Sequence, residues 1–167
     1  MNASINHLVN LFFDQLRDIH SMESQVADTL PHLGSLATYP ALREHFLSQE
    51  PLAREQKELV ERVFDTHTRE VGSDVCLAMK GLVAGGNEHL AMAKDPCTRD
   101  FLLVAHGMRI QHYAIAAYQF AAALALHLDF VPERDVLSNQ LAAGDRSARE
   151  LEAIAAELFA SSPQTRQ

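Results

Sequence analysis

The segment Phe101–Phe130, FLLVAHGMRIQHYAIAAYQFAAALALHLDF, constrains the fold more than any other part of this chain. Up to Leu128 its only full charge is Arg109, it holds no proline, and apolar residues fall at nearly every helical phase. Such a segment is a helix covered by neighbours on most sides. A membrane span is the rival reading. It fails because Arg109, Gln111 and His112 interrupt the run, leaving Tyr113–Leu126 as the longest apolar stretch, well short of the roughly 20 residues a bilayer requires. The segment is expected to be the central helix of a soluble bundle, with its polar cluster turned inward.

The rest of the chain agrees with an all-α protein. At 167 residues it is long enough to bury a core, and we expect one domain over residues 1–160 with a disordered tail at 161–167. Ala and Leu abound, there are 7 Gly and 6 Pro, and no run of alternating β-branched residues suggests a sheet. A net charge of −8 with no basic stripe argues against a nucleic-acid partner. Cys76 and Cys97 form neither a disulfide framework nor a zinc pattern, and both read as small structural thiols. The first residues, MNASINHLVNLFFDQLRD, lack the basic start and apolar core of a signal peptide, so a cytoplasmic location is expected.

Five helices are predicted. Asn2 or Ser4 caps a first helix to about Leu30, with Val9, Phe12, Leu16, Ile19, Val26 and Leu30 on one seam. The position that completes the seam is Glu23, so one carboxylate is expected on the inward face. Pro31 and Gly34 should end or kink this helix. The second, about Ala41–His67, has Leu42, Phe46, Gln49, Ala53, Gln56, Val60 and Val63 inward, and Pro51 should bend or restart it. The third, about Asp74–Lys94 capped by Ser73, turns Val75, Met79, Leu82, Gly86 and His89 inward. Its Gly85–Gly86 pair costs about 1 kcal/mol per glycine relative to alanine, which close approach of a neighbouring backbone would offset. Asp95–Pro96 breaks the chain before the fourth helix and Val131–Pro132 before the fifth, about Glu133–Ala160. That last helix places Leu137, Leu141, Gly144, Ala148, Leu151, Ala155 and Leu158 inward. Long helices with brief connections describe an antiparallel bundle.

SMESQ (Ser21–Gln25), MKGLV followed by NEHL (Met79–Leu90), and above all QHYAIAAY (Gln111–Tyr118) resemble the YciE/YciF-like branch of the ferritin-like superfamily. The similarity covers about residues 5–155. It implies a ferritin-like four-helix bundle with an additional fifth helix, commonly a homodimer, associated with bacterial stress and without an established reaction. Ferritin-like di-metal proteins hold two ions with carboxylates from four helices and histidines placed i, i+3 from a glutamate. Hard di-iron or di-manganese centres need several anionic oxygens to offset about four positive charges. The resemblance carries over Glu23, His112, Tyr113 and Tyr118. The glutamates flanking the histidine–tyrosine pair become Gln111 and Ala114. The second-helix acids fall on Pro51 and Leu52 and the histidine on Arg54; the third-helix acids on Ala84 and Gly85; the fifth-helix acids on Ala142, Ala143 and Gly144. One carboxylate remains where four or more are needed, unless Glu50, Glu55 or Glu88 are recruited.

The residues of a vestigial site are then Glu23, Gln56, Gln111, His112 and Tyr118, with no catalytic residue and no cofactor expected. A buried Glu23 requires a hydrogen-bonding partner, and Gln111, Gln56, His112, Arg109 or a tyrosine hydroxyl are the candidates. The other eight histidines, His7, His20, His32, His45, His67, His89, His106 and His127, share no two-residue or four-residue pairing with an acid on a common seam, and most read as surface or capping residues. Two functions follow. The favoured one is a non-enzymatic bundle that has lost its di-metal site and acts through its surface, as a homodimer or on a protein partner. The small-residue phase Ala114, Ala117, Ala121 and Ala125 of the fourth helix would let another helix approach closely, within the bundle or across a dimer. The competing one is an oxidase or metal-binding protein with an altered iron or manganese centre. A small apolar ligand in the vacated interior is a third possibility.

Overall fold

The computed structural model describes residues 5–162 and contains five helices: α1 (Leu8–Leu36), α2 (Pro40–Thr66), α3 (Leu77–Met92), α4 (Pro96–His127) and α5 (Val131–Ser161). The expected caps Asn2 and Ser4, and residues 163–167 of the expected tail, lie outside the described residues. The tail's first residue, Ser161, ends α5.

Contacts between helix ends define the topology. Phe13 near the start of α1 meets Phe64 near the end of α2, with ring centroids 5.4 Å apart, so the two are antiparallel. Phe101 at the start of α4 meets Phe159 at the end of α5 at 4.9 Å. Phe12 of α1 meets Phe130, just past α4, at 5.5 Å. His67, just past α2, bonds Glu133 at the start of α5 at 2.7 Å. Hence α2 and α4 run parallel, and the chain must travel the length of the bundle between them. Residues 67–95 make that crossing, with α3, 16 residues and about 24 Å long, as its rigid part. One long crossover in a four-helix bundle is the ferritin-like connectivity. The additional helix is therefore α3, which packs outside on α4 and α1.

The core is built from the expected seams. Phe12, Leu16, Ile19 and Leu30 of α1, Leu42, Phe46, Val60 and Val63 of α2, and Leu137, Leu151 and Leu158 of α5 are buried. Four expectations need correction. Helix α1 continues through Pro31 and Gly34 to Leu36, because Pro31 faces solvent and a Cβ on Gly34 would lie 2.9 Å from the Leu47 side chain of α2. Helix α2 likewise does not restart at Pro51 but continues through it. Helix α3 starts at Leu77, capped by Cys76 rather than Ser73, which leaves Val75 and His89 exposed. Its start is set from outside: the Ser21 hydroxyl accepts from the Cys76 amide at 2.9 Å and Gln25 donates to the Cys76 carbonyl at 3.1 Å, holding the chain extended to that point. Helix α4 begins at Pro96 rather than after it, since Asp95 caps it by accepting from the Thr98 amide at 2.7 Å.

Candidate functional site

Glu23 lies at the centre of the molecule, 2% exposed. Its place on the α1 seam, one turn after Ile19, carries the side chain inward among α2, α4 and α5. The Tyr118 hydroxyl of α4 donates to Glu23 Oε1 at 2.8 Å. One arm of the Gln56 amide, from α2, lies 3.2 Å from each Glu23 oxygen, and its other arm lies 3.1 Å from Gln140 Oε1 of α5. An ionised carboxylate needs the amide nitrogen on that near arm; a protonated one can instead donate to the amide oxygen. The second case fits the electrostatics. Loss of solvation raises the Glu23 pKa to about 8, the Tyr118 bond opposing this only in part. The Tyr118 hydroxyl is pushed well up by burial and by Glu23.

Around this group is a cavity of about 150 Å³ between α1, α2, α4 and α5. Gln111, Gln140 and Ser147 line it with Glu23, Gln56 and Tyr118, opposite Leu30, Phe46 and Leu151. It exists because the facing positions are small: Ala53, Ala114, Ala143 and Gly144. It opens between α2 and α5, which pack against each other less extensively than α1 on α2 or α4 on α5. At that opening His45 Nδ1 is 3.3 Å from Glu150 Oε2, with burial lowering the imidazole pKa and Glu150 partly restoring it.

Of the residues singled out from the sequence, the structure brings Glu23, Gln56, Gln111 and Tyr118 to one cavity and leaves His112 outside, exposed on α4. Arg109 is exposed too, so the polar cluster of the central helix points largely to solvent. The reason is helical phase. Positions 107, 110, 114 and 118 of α4 face the bundle, 109 and 112 the opposite side. The histidines also differ from expectation. His20 and His67 bond Glu61 and Glu133 on other helices at 2.8 and 2.7 Å, and His45 faces Glu150. His106 is 2% exposed, with its pKa lowered by burial. No single-helix pattern could reveal such pairs. Gln140 and Ser147 were equally invisible, being ordinary polar residues on α5.

Glu50, Glu55 and Glu88 cannot complete a metal site. Glu50 is engaged by Arg54, Glu55 and Glu88 are exposed, and Ala84 and Gly85 sit on α3 outside the bundle. On α2 the cavity is lined by His45, Phe46, Gln49, Leu52, Ala53 and Gln56, none of them an acid, while Pro51 and Arg54 are exposed. Among the described residues no three His, Cys, Asp or Glu side chains converge in a way that could hold an ion. One carboxylate, a phenol and neutral amides do not fit two hard cations, whose charge needs several anionic oxygens.

A second buried group lies between α1 and α4. Tyr113 donates to Asp18 at 3.0 Å, and the Cys76 thiol lies 3.3 Å from both. Burial raises the pKa of this thiol, which disfavours the reactive thiolate form. Among the described residues, no helix is long and apolar enough to cross a membrane.

A four-helix bundle with one crossover, and a polar residue from each of its helices meeting at the centre, defines a ferritin-like protein. The chain belongs to the family described as "Domain of unknown function (DUF892)", which matches residues 7–162. It is 26% identical to Protein YciF of Escherichia coli (strain K12) over 133 residues, 79% of this chain and 80% of that protein. The crystal structure of the E. coli stress protein YciF superposes with a TM-score of 0.90 at 23% identity, covering 95% of this chain and 100% of the other. YcfI of Rhodopseudomonas palustris, for which a structural role has been suggested, gives a TM-score of 0.87 at 25% identity over 91% and 97% of the two chains. The resemblance read from SMESQ and QHYAIAAY is thus correct for family and fold.

Proposed function

We propose that this chain is a non-enzymatic ferritin-like bundle in which a hydrogen-bonded polar plug stands where a di-metal centre would sit. It acts through its surface, as a stress-associated homodimer or on a protein partner. The observation that carries the reading is the donor set around Glu23: its partners are a phenol and an amide, and burial keeps the carboxyl neutral to about pH 8. A single carboxyl, neutral over most of that range, cannot supply the several anionic oxygens that two hard metal ions need. The relatives support the role coarsely, since one is described as a stress protein and another has a suggested structural role.

Elemental analysis of protein purified without chelator, then exposed to iron and manganese, tests this. Affinity follows ligand number and charge, so we expect below about 0.1 metal per chain. One or two ions per chain would establish the altered-centre reading instead.

A further inference from the structure

The central cavity is larger than a polar plug requires. We propose that it binds a small organic monocation, an ammonium group carried on an apolar body. Its volume, about 150 Å³, is that of a core cavity able to take up benzene, which suits a ligand of about six to ten heavy atoms. Leu30, Phe46 and Leu151 form an apolar wall for the body, and Glu23 with its amide neighbours forms the polar end. A second observation points to a missing partner. The Ser147 hydroxyl, on a residue 4% exposed, lines the same cavity and has no hydrogen-bond partner in the protein. Buried hydroxyls are otherwise nearly always bonded.

The chemistry of the lining selects the ligand's charge. A carboxylate offers about four lone-pair sites, and Glu23 has one short bond, from Tyr118, and at best one long forked one from Gln56. The unspent capacity of the site is therefore in acceptor oxygens, and an ammonium brings three donors and no acceptor. An anion would meet Glu23 directly. A neutral apolar molecule would leave the Ser147 and Glu23 oxygens as they are. The titratable or charged groups facing Glu23's cavity are Tyr118 from α4, His45 from α2, and Arg146 and Glu150 from α5 at the opening. Binding transfers the Glu23 proton to solvent: the neutral carboxyl meets the ammonium, and a carboxylate–ammonium pair forms as the proton leaves.

Calorimetric titration of the full chain with benzylamine, with benzyl alcohol as the uncharged control, tests this. We expect saturable benzylamine binding that tightens by about tenfold or more from pH 6 to pH 8, with proton release detected as a buffer-dependent heat. Glu23→Gln should weaken it by at least about tenfold, and Ala53→Leu, which fills the cavity, should abolish it. No saturable binding below about 10 mM, equal affinity in Glu23→Gln, or benzyl alcohol matching the amine at pH 8 would each overturn the proposal. Metal content decides the reading of the previous section and amine affinity decides this one, so the two fail separately.

Discussion

Glu23 shows how far a single residue's surroundings can reverse its ordinary behaviour. A carboxyl with a folded-state pKa near 8 holds its proton in the native protein but loses it near pH 4.5 when unfolded. Its stabilising contribution is thus complete below pH 4.5 and is lost as pH rises towards 8, the opposite of a salt-bridged acid. Over that window the loss is about 3–5 kcal/mol. Denaturant titrations at pH 5, 6.5 and 8 should show the decline, and Glu23→Gln should flatten it, the variant being more stable than the parent at pH 8 by on the order of 2 kcal/mol or more. A parent whose stability is flat between pH 5 and 8 would mean a Glu23 that is ionised throughout that range. Replacing Tyr118 with Phe removes the donor that partly counters burial, so the Glu23 pKa should climb further, as a carboxyl-resolved NMR or infrared titration would show. The inward aim of Glu23 was legible because six apolar seam positions of α1 flank it in register. Its partners were not, because which of several Gln, His and Tyr side chains reaches it depends on the rotational phase of three other helices.

At the scale of elements, the SMESQ stretch divides its work between two faces of α1. Ser21 and Gln25, one turn apart, hold Cys76 and so fix where α3 begins within the crossover, while Glu23 between them points into the bundle. Two adjacent glycines of α3 test how that helix is seated. A Cβ on Gly86 would fall 2.0 Å from the His106 ring, whereas a Cβ on Gly85 would meet nothing within 4 Å. Gly86→Ala should therefore cost about 1–3 kcal/mol through overpacking, and Gly85→Ala should add up to about 1 kcal/mol through helix propensity, both read from thermal melts. Equal effects would refute the packing. The sequence flagged this pair for close approach, but the neighbour is a histidine ring rather than a backbone. Helix number and the seams of α1, α2 and α5 were readable from hydrophobic period alone, whereas the α3 seam was not, since Val75 and His89 are exposed. Boundaries were not, since Cys76 is held by a helix fifty residues away and Pro31 and Pro51 are tolerated where their missing donors face solvent.

For the molecule as a whole, the crossover decides which surfaces remain free. Because residues 67–95 must return along the bundle, α3 covers part of α4 and α1. The small residues proposed for close helix approach, Ala114, Ala121 and Ala125, are consumed inside the bundle, and Ala117 is half-buried. What α4 leaves outward is a different phase, Ala116, Phe120, Ala123 and Leu126, with Phe120 49% and Leu126 55% exposed. These four positions recur at steps of three and four, so they form one apolar stripe that water covers at a cost in free energy. The homodimer proposed for this chain should use that stripe. Replacing both Phe120 and Leu126 with Glu sets four carboxylates against one another across a twofold contact, while changing nothing that faces the core. Light scattering after gel filtration should then report a monomer with unchanged helical circular dichroism, where the parent elutes at twice that mass. A double variant that remains dimeric moves the interface elsewhere, and a parent that is monomeric at micromolar concentration removes the homodimer, leaving a protein partner as the occupant of that face.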